Sequence, residues 1–151
     1  MINYKITPIT DKLELKAVSS ASTNNGGKFK KATSYINEAI DALSKKPEGD
    51  YNVAIYQSTM ALASLLREFL NVDNKKLTPS QLIDKLKNHK EIREFITEPM
   101  DKFVGIIRNK KYGFFHADGD DNNSSKATFM EAKYVLVMSC NFLNYIKSLN
   151  T

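Results

Sequence analysis

The chain has 151 residues, a formal net charge of +5, 42% apolar residues and 26% charged residues, which is the make-up of one folded domain and excludes a disordered or low-complexity chain. A single cysteine, Cys140, excludes an internal disulfide and fits a reducing, cytoplasmic setting; with only two histidines, His89 and His116, the usual Cys/His zinc frameworks are excluded, and neither a metal nor a cofactor is expected. Residues 1–7 lack the apolar core of a signal peptide, and no run of about 18 apolar residues occurs, so no membrane partner is expected.

Residues 4–10 read as extended, with Ile6 and Ile9 as β-formers around Pro8. Asp11 followed by Glu14 reads as a capping box that opens a short helix through Leu13, Leu15 and Val18. Residues 19–27 are loop-like and end on Gly26-Gly27. They divide the chain into an N-terminal appendage and linker, 1–27, and a main domain, 28–151.

From Lys28 the apolar residues Phe29, Ala32, Ile36, Ala39, Ile40 and Leu43 follow helical spacing, and Pro47-Glu48-Gly49 ends the run. Asp50 is an N-cap candidate for a second helix reaching about Asn71. Thr78-Pro79-Ser80-Gln81 places a cap, a first-turn proline and a box-closing glutamine at the start of a third. A further helix is predicted from Lys90, with Pro99 either kinking it or starting another. After a second loop-like stretch, 112–125, the last helix is predicted over 125–150. Its centre is apolar almost all round, which places it in a core or a subunit interface. The pattern predicts an all-α, up-and-down helical bundle of five to six helices with a short extended or helical appendage.

The stretch 106–117 holds the most chemistry. An apolar helix ends in Arg108-Asn109-Lys110-Lys111, then come Tyr112, Gly113, Phe114, Phe115 and His116. Arginine offers a planar, permanently charged fork for phosphate. Histidine, with an ordinary pKa of about 6.5, moves protons near neutrality. Asn109 can contact a ribose or a phosphate. Together these groups suffice for metal-independent RNA cleavage, in which the histidine takes the 2′-OH proton and the arginine stabilises charge at phosphorus. On residues alone, the same pair also fits a helix-end cation and a hydrogen-bonded histidine. Lys110 and Lys111 are candidate RNA-binding residues, with Lys85, Lys87, Lys90 and Arg93 as extensions of that patch. Tyr112 is a candidate for stacking on a splayed base.

In order along the chain, residues 50–58, 77–86, Ile107-Arg108-Asn109 with His116-Ala117, and 129–146 resemble the HEPN superfamily (higher eukaryotes and prokaryotes nucleotide-binding domain), most closely its abortive-infection, phage-defence group. Residues 6–11 resemble the segment that leads into this domain in longer members. The resemblance implies a helical bundle that forms homodimers, with Arg108, Asn109 and His116 as catalytic residues in a shared cleft. It also implies an endoribonuclease acting on single-stranded RNA or tRNA, and an antitoxin or other defence-system partner protein. Seven residues, 109–115, separate Arg108 from His116, more than the family signature has. That spacing keeps a second reading open: a non-catalytic module of the same fold that binds a nucleotide or a protein partner.

Other features carry less. Asp118, Asp120 and Asn122 copy the first ligands of an EF-hand, but Asn123 stands where glycine is needed and Phe129 where glutamate is needed. The segment reads as a solvated turn whose carboxylates would raise the pKa of His116 if close to it. Cys140 reads as a buried small hydrophobe, and His89, Ser58 and Glu68 receive no chemistry.

Overall fold

The computed structural model describes residues 11–23, 27–108 and 126–149, and its regular structure there is helical throughout. Six helices follow in order: α1 (Lys12–Ala21), α2 (Lys30–Leu43), α3 (Tyr51–Phe69), α4 (Pro79–Leu86), α5 (Glu94–Arg108) and α6 (Phe129–Ser148). The all-α expectation holds. The extended reading of residues 4–10 lies outside the described residues.

Local side-chain caps open three of the six helices. Asp11 caps α1 by accepting from the N–H groups of Leu13 and Glu14 at 2.9 and 3.1 Å. Glu14 does not close a box; its carboxylate pairs with Lys133 on α6 at 2.8 Å. Thr78 and Gln81 form the expected reciprocal capping box at the start of α4, with Pro79 in the first turn. A second box, Thr128 with Glu131, starts α6. It places the helix start at Phe129, later than the polar run at 125 implies. Asp50 precedes α3, but its side chain makes no cap bond and pairs with Lys45 at 3.4 Å. Pro99 neither ends α5 nor starts a new helix; it lies inside one continuous helix.

The core is built around α3, which packs on α2, α6 and α4, while α1 and α2 also contact α6. Ile36, Ile55, Leu62, Leu65, Leu66, Leu136 and Leu143 are fully buried, each stabilising the fold by roughly 1.5–3 kcal/mol. The buried hydroxyls of Ser58 and Thr59 donate to the carbonyls of Ala54 and Ile55, one turn back, at 2.7 and 3.0 Å, so these two polar groups are satisfied inside the core. Helix α5 packs on α4, and its Phe103 reaches the rings of Tyr134 and Phe142 on α6, with centroids 6.0 and 5.8 Å apart. The turn between α2 and α3 needs Gly49, because a Cβ there would lie 2.6 Å from the Leu43 carbonyl oxygen and against the Tyr51 ring.

Helix α1 docks on α6. Val18 and Ala21 enter the common core. Asn144 donates to the Ala17 carbonyl at 2.9 Å and Lys147 to the Ser20 carbonyl at 3.4 Å. Among the described residues, no helix is long and apolar enough to cross a membrane.

Candidate functional site at the end of helix α5

Arg108 is the last residue of α5 and is half-buried. Its position follows from the helix it ends. Met100, Phe103, Val104 and Ile107 turn one face of α5 into the core, and this fixes the direction in which the last turn faces. A cation there is favoured by the unpaired carbonyls and negative dipole end of the helix.

The other candidates, Asn109, Lys110, Lys111, Tyr112 and His116, lie outside the described residues. So do Asp118, Asp120 and Asn122 of the EF-hand-like turn. The described residues therefore include one of these candidates, Arg108, and the two ends of the segment that carries the others.

The chain beyond that segment is held by a contact between residues far apart in sequence. The Ala127 N–H donates to Asn52 Oδ1 at 2.8 Å, across 75 residues. Tyr51 and Phe129 pack edge-on beside it, with ring centroids 6.0 Å apart. The first turn of α3 thus sets where the chain re-enters the bundle, one residue before the Thr128 cap of α6. Asn52 is a positioning residue missed by a reading of motifs, since no local pattern links an asparagine to a backbone group so distant in sequence. The Thr128-to-Glu131 spacing was a visible signal for the helix start itself.

Two side chains of the expected phosphate patch are engaged elsewhere. The Lys87 amino group pairs with Asp101 at 3.1 Å and with Asp84 at 3.4 Å. The Asp101 hydrogen bond, above all, holds its pKa above the ordinary lysine value. The Arg93 guanidinium lies 5.3 Å over the Phe95 ring, a cation–π contact. Neither is poised as an open phosphate ligand.

His89 follows α4, with its ring 5.0 Å from that of Phe69 and its Nδ1 accepting from the Glu91 N–H at 3.3 Å. The ring thus packs on Phe69 just past the end of α4. Among the described residues, no group of three or more Cys, His, Asp or Glu side chains is placed to hold a metal ion.

Comparison with family models, with curated proteins and with solved structures finds no match for this chain.

Proposed function

We propose that this chain is a HEPN-type, metal-independent endoribonuclease of a phage-defence or toxin system, working as a cytoplasmic homodimer. The observation that carries the reading is Arg108 at the final position of α5, anchored by a buried helix face and followed at once by Asn109 and the segment bearing His116. In this scheme His116 takes the proton from a ribose 2′-OH. The freed oxygen bonds to the adjacent phosphorus, the bond to O5′ breaks and O5′ takes up a proton from water, leaving a 2′,3′-cyclic phosphate and a 5′-OH. Arg108 offsets the charge that grows on the phosphoryl oxygens, and Asn109 orients the ribose or phosphate. Lys110, Lys111 and Tyr112 hold the flanking single-stranded RNA or tRNA, and a partner protein restrains the activity.

The homodimer is supported by large apolar side chains left at the surface. On α5, Phe95 and Ile106 are 64% and 57% exposed; on α6, Met130 and Tyr134 are 64% and 58% exposed. Phe95 and Ile106 are three helical turns apart on one stripe of α5, and Met130 and Tyr134 one turn apart on α6. The Phe103–Tyr134 ring contact brings the two helices together.

The spacing of seven residues between Arg108 and His116 favours the second reading, a non-catalytic module that binds a nucleotide or protein partner. One assay separates them: total RNA and tRNA incubated with the full chain in EDTA, wild type beside His116→Ala. New products ending in a 2′,3′-cyclic phosphate, lost in His116→Ala, support the nuclease. Undiminished cleavage by His116→Ala sinks the mechanism. No cleavage by a folded dimer moves the assignment to the binding module.

A further inference from the structure

The start of α2 faces the last turns of α3 across an open cavity of about 940 Å³, within the size range of small-molecule sites. Four cationic side chains stand around it: Lys30, Lys31, Arg67 and Lys75. Among the described residues none of the four is paired with a carboxylate, although two acids, Glu68 and Asp73, are in the same wall. The Glu68 carboxylate is occupied by the Phe29 N–H at 2.8 Å. Arg67 gives one N–H to the Leu77 carbonyl at 2.9 Å, while its Nε–H is shut off from solvent with no acceptor. That guanidinium is fixed in place with donors to spare.

Charge order along α2 adds to this. Lys30 and Lys31 open the helix, its first turn has no acidic residue, and its N-cap Phe29 offers no side-chain bond, the Glu68 carboxylate standing at the Phe29 N–H instead. Two cations at the positive end of a helix oppose its dipole, and an anion bound between them relieves the repulsion. The rest of the wall mixes the polar Ser34, Ser64 and Asn71 with an apolar part made by Tyr35, Met60 and Val72, of which Tyr35 and Val72 are half-buried. A purely ionic surface would not need that wall, whereas a ligand with a charged head and a flat apolar body uses both.

We propose that this groove binds a small phosphate monoester carrying an aromatic or apolar group, with the phosphate held by Lys30, Lys31, Arg67 and Lys75 and the apolar part against Tyr35 and Val72. The site is independent of Arg108 and His116, so its fate does not depend on the nuclease reading.

The test titrates the ¹⁵N-labelled full chain with phenyl phosphate while backbone amide shifts are followed, with inorganic phosphate and phenol as separate probes. Saturable shifts centred on residues 30–35 and 64–75 are expected, with phenyl phosphate binding at least about tenfold more tightly than either fragment, or ~1.4 kcal/mol. Combining Lys31→Glu with Lys75→Glu, both at exposed positions, weakens binding by more than about tenfold with helix content unchanged. Glu68→Gln keeps an acceptor for the Phe29 N–H but removes a repelling charge, and tightens binding by about threefold. Shifts that never saturate or spread over the whole lysine surface, or affinity unaltered by the charge reversals, would overturn the proposal. Displacement of phenyl phosphate by a short single-stranded RNA at lower concentration would overturn it in favour of a nucleic-acid groove.

Discussion

Glu68 Oε2, on the last turn of α3, accepts the backbone N–H of Phe29 at 2.8 Å across 39 residues. Phe29 is the N-cap of α2, buried and left-handed at φ 59°, and has no side-chain cap of its own. Left-handed backbone is costly for a residue with a Cβ. A carboxylate from a neighbouring helix thus supplies what the third-position glutamate of a capping box would supply locally, an acceptor for the N-cap N–H, and it clamps the α2–α3 pair at one end. Glu68→Ala is expected to destabilise the fold by about 1–2 kcal/mol, and Glu68→Gln by less, because the amide oxygen still accepts. Urea unfolding checks this: the midpoint falls while the slope stays unchanged. A midpoint unaltered in Glu68→Ala would refute the clamp.

Cys140 is fully buried in α6, and burial pushes its thiol well above the ordinary value of 9.0, with the Lys147 charge acting weakly in the other direction. Desolvation in turn lowers Lys147. A thiol whose folded pKa is raised contributes stability that is complete below the unfolded value and lost as pH rises toward the folded one. Stability should therefore decline above pH 9.0 in the wild type, and less steeply in Cys140→Ala. Reaction with a thiol reagent should be negligible in native protein and complete in urea. Fast native labelling would contradict this placement.

The exposed apolar stripes of α5 and α6 lead to a separate expectation. Light scattering after size exclusion should show a dimer at micromolar concentration. Ile106→Asp, which adds charge to an exposed site and removes nothing from the core, should weaken association by roughly a hundredfold, or about 2–3 kcal/mol, at unchanged helix content. A wild type that stays monomeric across that range would count against a cleft shared between subunits.

What the sequence made readable was local. The Thr78–Gln81 box, the Asp11 cap and the helical spacing of α2 each depend on residues within one or two turns, and each stands where the spacing puts it. Asp50 stands at the N-cap position its residue type implies, but its carboxylate pairs with Lys45 and makes no cap bond. Pro99 was ambiguous because a proline's local cost can be outweighed by burial on both sides of it, here Thr97, Met100 and Phe103. Glu68 with Phe29, Asn52 with Ala127 and Glu14 with Lys133 were invisible because each joins separate helices. The same holds for the groove: Lys30 and Lys31 meet Arg67 only because α2 lies along α3. Of the catalytic candidates, the structure speaks for the position of Arg108 alone.

The docking of α1 has a practical consequence for anyone handling this chain. Starting an expressed fragment at residue 28 looks natural from the Gly26-Gly27 pair. That cut would remove Val18 and Ala21 from the core and leave Lys133 and Asn144 without their partners. The part of α6 they cover would then face water as a fresh sticky strip beside Met130 and Tyr134, a recipe for aggregation rather than a leaner domain. A truncation that reaches Asp11 also loses the side chain that starts α1.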